Sequence, residues 1–105
     1  MGIDLGRAKI AFISRMTVKE GREADFERLA AQLTEKVNAN EPDTLVYRFF
    51  KLRDAPRRYA VLEAFPSEAA EEAHLDTDYF KAIAPDLVDC LDGSYVREYL
   101  DPLDD

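Results

Sequence analysis

Hydrophobic and polar residues alternate near the start of the chain, and the pattern then changes to a helical spacing. Alternation over residues 8–18 predicts a first strand. One face of that strand carries Ile10, Phe12, Ser14, Met16 and Val18. After a break at residues 19–21, apolar residues recur on one face of a predicted amphipathic helix, which ends before Pro42.

The next part of the chain has the pattern of a β-hairpin. Residues 44–53 are rich in β-branched and aromatic side chains, and residues 57–65 alternate between apolar and polar positions. Pro56 lies in a short polar stretch between them, which predicts a turn.

A broken helix and a last strand follow the hairpin. Ser67 is a predicted N-cap, and a second cap signal at Asp76 and Thr77 predicts an interruption of the helix there. Pro85 removes a backbone donor from the second segment, so we expect a kink or a restart. Residues 94–100 alternate again and predict the final strand.

The element order is therefore β-α-β-β-α-β. With right-handed crossovers, this order predicts a ferredoxin-like α+β fold, in which one face of a four-stranded antiparallel sheet carries both helices. The 105 residues form one predicted domain, with a loose leader at 1–6 and a frayed acidic tail at 101–105.

Both faces of the predicted sheet are apolar. In the third strand, Ala60, Leu62 and Ala64 lie opposite the face that carries Tyr59 and Phe65. Since both helices cover one face only, the other needs a covering partner. We therefore expect a two-fold homodimer that stacks sheet against sheet; the alternative is a monomer with an apolar open face.

Charge and composition narrow the classes of partner. The net charge of −8 argues against nucleic acids and anionic membranes, because both are bound by clustered cations. No apolar run approaches the roughly 20 residues that span a bilayer, and no signal peptide is visible, so we expect a cytoplasmic protein. Cys90 is the single cysteine; it excludes an intrachain disulfide and is interpreted as a small buried apolar residue.

Several cofactor motifs are absent from the sequence. The four glycines are scattered and form no nucleotide-binding loop. One histidine and one cysteine do not make a typical zinc site, and no acidic spacing matches a calcium loop. We therefore expect no nucleotide, flavin or metal cofactor.

One set of residues, spread over most of the chain, resembles the antibiotic biosynthesis monooxygenase (ABM) family. The set consists of residues 41–47, Pro56, residues 59–65, residues 67–70, His74, Tyr79 and Phe80. The resemblance covers roughly residues 8–100. It implies a dimeric α/β barrel with a ligand pocket between the sheet and the helices of each subunit.

The family's activities are diverse, and fold alone does not select one. They include cofactor-free oxygenation of aromatic polyketides and quinols, haem degradation, and isomerisation of a phosphorylated sugar. Haem degradation is disfavoured, because Ser14, Phe65 and Ala84 stand where haem-degrading members carry Asn, Trp and a haem-ligating His. The absence of tryptophan also weakens the analogy with some polyketide oxygenases.

Glu63 and His74 are the predicted catalytic residues. Glu63 lies in the middle of an apolar strand, where a carboxylate must be paired, hydrogen-bonded or protonated. His74, at about the same height along the predicted second helix, is a candidate base that deprotonates a phenol while Glu63 orients it. The alternatives are a structural ion pair for Glu63 and a hydrogen-bonded core histidine for His74.

Aromatic and polar residues on the same elements are predicted to contact a flat ligand. The predicted contacts are Phe12, Ser14, Tyr47, Tyr59, Phe65, Tyr79, Phe80 and Arg97. Arg97 is proposed to stabilise an anionic ligand, with a surface ion pair as the alternative. For most of the aromatic residues, the alternative is an ordinary place in the core.

Three functions follow from these residues. The first is a cofactor-independent monooxygenase that oxidises an electron-rich aromatic, such as a hydroquinone, with O₂. The second is an isomerase of a small polar metabolite or a ligand-binding protein without turnover, which a polar pocket would favour. The third is a purely structural dimerisation module, which the absence of any cavity would favour.

Overall fold

The computed structural model describes residues 5–104 and has the predicted ferredoxin-like arrangement. After a short 3₁₀ turn at Leu5–Arg7, the elements are β1 (Ile10–Thr17), α1 (Glu23–Asn40), β2 (Val46–Lys51), β3 (Arg58–Phe65), α2 (Glu68–Leu75), α3 (Asp78–Asp89) and β4 (Val96–Leu100). The strands form one antiparallel sheet in the order β2-β3-β1-β4. The predicted fold class is therefore confirmed. Residues 1–4 of the predicted leader and the last tail residue lie outside the described residues.

The main core lies between α1, α3 and one face of the sheet. The apolar stripe of α1 is buried as predicted, and it packs on β-strand residues that include Met16, Tyr59 and Val61. Alternation also assigned the faces of β3 correctly, because Val61, Glu63 and Phe65 are buried beneath the helices. Burial of this apolar stripe holds α1 in place more than intrinsic helix propensity does.

The predicted break in the second helix is present. Ser67 Oγ accepts a hydrogen bond from the N–H of Ala70 at the start of α2. Thr77 Oγ1 accepts one from the N–H of Phe80 at the start of α3 and donates one to the carbonyl of His74. The bonds of Thr77 therefore end α2 and begin α3 with only two residues between the helices.

The restart expected at Pro85 does not occur. α3 runs without interruption from Asp78 to Asp89 with Pro85 inside it. Proline removes one intrahelical hydrogen bond, to the carbonyl of Lys81. Both residues are exposed, so water can satisfy that carbonyl and the helix continues.

The face of the sheet opposite the helices is largely apolar and mostly open, although Val46 and Ala64 on it are only 8% and 2% exposed. Ala11, Ile13, Ala60, Leu62, Val46 and Ala64 alternate with the helix-facing residues of β1, β3 and β2. Three more apolar side chains of this face are 43–59% exposed: Phe50, Val96 and Leu100. Arg15 and Glu98 form an exposed ion pair among them, with 3.4 Å between Arg15 Nε and Glu98 Oε1.

β4 is an edge strand and is exposed along its whole length. The helices therefore cover β2, β3 and β1 and leave β4 uncovered. Residues 101–104 of the tail are exposed and contain neither helix nor strand. No helix within residues 5–104 is both long and apolar enough to cross a bilayer.

Candidate active site

The site is built on two rows of side chains that cross the helix-facing side of the sheet. Directly opposite strand positions form each row. The first row is Tyr47, Glu63, Phe12 and Tyr99, and the second is Phe49, Val61, Ser14 and Arg97. Every strand thus contributes one side chain to each row, at the spacing that antiparallel pairing sets.

A cavity of about 90 Å³ lies between these rows and the helices α1 and α3. Its walls are mostly apolar, and its polar groups come from Ser14, Tyr47, Glu63, Tyr95 and Arg97. Val88 and Tyr95 are half-exposed and stand beside Arg97, so the cavity opens toward solvent next to the uncovered strand β4. The cavity is large enough to hold water.

Glu63 places a buried carboxyl group at the wall of this cavity. The residue is only 8% exposed, and this burial raises the pKa of its carboxyl from 4.5 to about 7. The cation of Arg97 opposes that rise in pKa, whereas the carboxylates of Glu71 and Glu41 add to it. Glu63 therefore exchanges a proton near neutral pH, which suits a general acid or base.

His74 lies behind Glu63 and is closed off from solvent. Its imidazole is 1% exposed and is packed between the rings of Tyr47, Phe65 and Phe80, at centroid distances of 4.9–5.6 Å. Its Nε2 is 3.7 Å from Glu63 Oε1, and this buried nitrogen has no hydrogen-bond partner within the described part of the chain. The two predicted catalytic residues are thus neighbours, but they are not hydrogen-bonded to each other.

Glu41 completes this group, and sequence analysis missed its role. It is the C-cap residue of α1, and its Oε1 lies 2.8 Å from Nδ1 of His74. Thr44 Oγ1 donates to the same oxygen at 2.6 Å, and the Tyr79 hydroxyl donates to the other oxygen. A usable signal was present, because an acid at a helix C-terminus is disfavoured by the helix dipole and needs another stabilising contact.

Arg97 lies on Phe12 at the rim of the site. Its guanidinium carbon is 4.2 Å from the centre of the Phe12 ring, and its Nη1 is 3.9 Å from Glu71 Oε2. Nη1 also donates a hydrogen bond to the Tyr99 hydroxyl. Arg97 is therefore a partly exposed cation beside the mouth of the cavity, next to the carboxyl group of Glu63.

The structure brings some of the predicted ligand contacts to the cavity wall and leaves others elsewhere. Ser14, Tyr47, Phe80 and Arg97 line the cavity together with Glu63. His74, Phe12, Phe65, Tyr59 and Tyr79 do not line it. The direct contacts predicted for these five residues have no support from this geometry, although His74 lies immediately behind the wall.

The residues away from the wall have other partners. Phe12 is covered by Arg97, and Phe65 is buried against His74. The Tyr59 hydroxyl donates to Glu27 Oε2 at 2.5 Å, which ties β3 to α1. The Tyr79 hydroxyl donates to Glu41, and burial and this bond raise the pKa of Tyr79 to about 12. Strand alternation identifies which face a side chain lies on, but it does not show which neighbour covers it.

The described residues contain no group of three or more His, Cys, Asp or Glu side chains placed to hold a metal ion. Glu41, His74 and Glu63 instead form a line in which the imidazole separates the two carboxyl groups. The arrangement suits proton transfer between these three groups. The expectation that the protein needs no cofactor stays a prediction.

The chain belongs to the antibiotic biosynthesis monooxygenase family, whose pattern matches residues 10–86. The chain is similar to a solved structure from Caulobacter crescentus CB15, which is provisionally named an antibiotic biosynthesis monooxygenase. The two sequences are 33% identical, and the alignment covers 95% of this chain and 97% of that one. The TM-score is 0.84. A conserved protein from Methanosarcina mazei Go1 is 24% identical over 90% of this chain and 93% of its own, with a TM-score of 0.82. The second likeness shows the fold alone. No protein of curated function matches the chain in sequence.

The raised pKa of Glu63 predicts how stability depends on pH. The folded protein keeps the Glu63 proton up to about pH 7, whereas the unfolded chain loses it near 4.5. The unfolded state therefore binds fewer protons between these values, and the Glu63 contribution to stability falls as pH rises through them. Glu63→Gln removes this loss, so relative to wild type the variant gains about 3 kcal/mol of unfolding free energy between about pH 4 and pH 8.

Urea denaturation across this pH range measures the difference between variant and wild type. Glu72→Gln is the matched control, because Glu72 is an exposed acid on α2. Its difference from wild type should stay within about 0.5 kcal/mol at every pH. A difference for Glu63→Gln that does not change with pH would show that Glu63 has an ordinary pKa.

Proposed function

We propose that this chain is a cofactor-independent monooxygenase that oxidises a small, electron-rich aromatic such as a hydroquinone. The observation that carries the proposal is the carboxyl group of Glu63, which is buried at the wall of a largely apolar cavity and has a pKa of about 7. A group of this kind accepts a phenolic proton near neutral pH. Membership in a family of monooxygenases supports the same reaction class.

The chemistry needs a base and a dry site more than it needs a cofactor. Once deprotonated, the substrate passes an electron to O₂, and the resulting radical pair combines to a peroxide anion on the ring. Return of the proton gives a hydroperoxide, and loss of water from it leaves the oxidised ring. For a simple hydroquinone the balance is hydroquinone plus O₂ giving hydroxyquinone plus water, so the substrate itself is the reductant.

The shape of the cavity favours a small substrate. A cavity of about 150 Å³ holds a benzene molecule, so a volume of about 90 Å³ must widen to accept even one ring. The mouth between α3 and β4 is the place where it can widen, since Val88 and Tyr95 are half-exposed there. We infer a one-ring substrate whose far edge lies at the mouth beside Arg97. The Arg97 cation would then stabilise the phenolate.

A second function has one observation in its favour. Ser14, Glu63 and Arg97 give the cavity a hydroxyl, a carboxyl and a guanidinium group, which together suit a small polar metabolite. Such a site fits an isomerase or a ligand-binding protein without turnover. The apolar majority of the wall favours the aromatic substrate over this alternative.

Oxygen uptake by the untagged, chelator-treated protein tests the proposal. One-ring hydroquinones should be oxidised well above their spontaneous rate and faster than dihydroxyanthracenes, because the cavity is small. Glu63→Gln should lower the enzymatic rate by about 10²-fold or more, the usual contribution of a general base. Glu72→Gln is again the matched control.

The pH profile of the enzymatic rate adds a second test. The rate should rise with pH through about 7, because Glu63 acts as a base only when it is deprotonated. Absence of uptake with every aromatic would contradict the oxygenase and favour the isomerase or binding protein. Uptake that survives in Glu63→Gln would instead remove Glu63 as the base.

We also propose that a second copy of the chain covers the open face of the sheet. The support is an apolar face with half-exposed Phe50, Val96 and Leu100. The charges on it are of both signs, as Arg15 and Glu98 show, so the face is suited to pairing with itself about a two-fold axis. A homodimer would also cover the exposed strand β4 near the mouth of the cavity.

Substitution on the open face tests the homodimer. Leu62→Asp places a charge at the centre of this face without touching the cavity. We expect wild type to sediment as a dimer and the variant as a folded monomer with an unchanged circular dichroism spectrum. Ser94→Ala, in the exposed loop before β4, is the control. A monomeric wild type would contradict the proposal.

A further inference from the structure

The interaction between Glu41 and His74 determines which nitrogen of the imidazole can react. A carboxylate only accepts hydrogen bonds, so the 2.8 Å contact between Glu41 Oε1 and His74 Nδ1 requires a proton on Nδ1. In the neutral imidazole Nε2 is then bare and carries a lone pair. The carboxylate of Glu41 thus sets the tautomer of His74, as the aspartate of a catalytic triad does for its histidine.

The bare Nε2 lies beside the carboxyl group of Glu63. It is buried and has no hydrogen-bond partner in the described part of the chain, and Glu63 Oε1 is 3.7 Å from it. A buried polar atom without a partner costs free energy, and such atoms call for a structural or functional reason. Contacts that exceed hydrogen-bond length in the free protein often shorten when a ligand binds.

We propose that Glu41 is a positioning residue, which holds the proton of His74 on Nδ1 so that Nε2 takes a proton from Glu63 and later returns it. This role rests on the proposed function, in which Glu63 first accepts the hydroxyl proton of the substrate. His74 then stores that proton as an imidazolium between two carboxyl groups. It need not touch the substrate, which agrees with its position behind the cavity wall.

The proton balance closes within the reaction. The O–H bond of the Glu63 carboxylic acid breaks, its electron pair stays on the carboxylate, and the lone pair of Nε2 forms the new N–H bond. The anion of Glu41 stabilises the imidazolium through Nδ1–H. The proton then returns through Glu63 to the peroxide anion on the ring, and the hydroperoxide formed in this way loses water. His74 is then back in its starting tautomer, and no oxidant other than O₂ is needed.

The charged and titratable groups around this pair come from several neighbouring elements. Arg97 of β4 favours the ionised form of Glu63, whereas Glu71 of α2 and Glu41 disfavour it. Tyr47 of β2 and Tyr79 of α3 add no charge at physiological pH, and burial raises the pKa of both hydroxyl groups further above their ordinary value. Among residues 5–104, Glu41 is the group that bonds to Nδ1 and so fixes its proton.

Nitrogen NMR of the imidazole tests the proposal without any turnover. The chain has a single histidine, so an untagged ¹⁵N-labelled sample gives one unambiguous pair of ring signals. We expect Nδ1 to be protonated and Nε2 bare in the neutral ring. We also expect the Nε2 signal to shift over the same pH range in which Glu63 titrates, and this shift to vanish in Glu63→Gln.

Glu41→Gln tests the positioning residue directly. The amide is neutral and both donates and accepts, so the preference for a proton on Nδ1 should be lost, whereas Glu72→Gln should leave the ring signals unchanged. A proton on Nε2 in wild type, or an Nε2 signal that does not respond when Glu63 titrates, would overturn the proposal. If Glu41→Gln does not fold, the ring signals of wild type and Glu63→Gln still show whether Nδ1 carries the proton and whether Nε2 responds to Glu63, and failure of either overturns the proposal.

Kinetics separates this proposal from the function on which it rests. If the protein consumes oxygen, Glu41→Gln should lower kcat about 10- to 100-fold with KM unchanged, because Glu41 lies outside the cavity. An unchanged kcat in a folded Glu41→Gln protein would overturn the positioning role. If wild type consumes no oxygen, the oxygenase fails, and the ring signals alone decide whether Glu41 sets the tautomer.

Discussion

The carboxylate of Glu41 holds together the part of the molecule in which the helices meet. It belongs to the C-cap of α1, it binds His74 at the end of α2, and it accepts the hydroxyl of Tyr79 in the first turn of α3. This one carboxylate therefore joins α1, α2 and α3, which would otherwise pack on the sheet independently of one another. The position of His74 against Glu63 depends on this junction.

The same junction explains how a carboxyl group and an imidazole can be buried next to each other. Burying one carboxyl group and one imidazole beneath helices is costly unless their polar atoms are paired or neutral. Nδ1 of His74 is paired through Glu41, whereas Nε2 is left facing Glu63, which burial makes a weaker acid. The protein therefore keeps one labile proton near neutral pH between two buried groups. We regard this as the feature that distinguishes a reactive site from an ordinary core.

Sequence patterns predicted the fold well because the strands and helices differ sharply in period. Alternation placed Ser14 and Glu63 on the helix-facing side, and cap residues located the break before Thr77. The same reasoning predicted a kink or a restart at Pro85, and the helix does not restart there, since an exposed helix tolerates one missing hydrogen bond. It also grouped Tyr59 and Tyr79 with the cavity, because the period of a strand or helix fixes the face of a side chain but not its partner.

Glu41 shows most clearly that a sequence pattern does not predict tertiary contacts. Its contacts with His74 and Tyr79 join residues 33 and 38 positions apart, and they depend on how two helices dock after the chain has turned at Pro42. No local period encodes such a junction. An acid at the end of a helix was the one local sign that a tertiary contact compensates for an unfavourable position.

The central claim is that Glu63 holds its proton up to neutral pH, and carboxyl ¹³C NMR of selectively labelled protein measures this directly. Glu63→Gln identifies its signal, and the exposed glutamates of the same spectrum provide an internal comparison. The account predicts a titration midpoint near 7 for Glu63. A midpoint close to 4.5, like that of the exposed glutamates, would contradict it and leave the cavity with only an ordinary, weakly basic carboxylate.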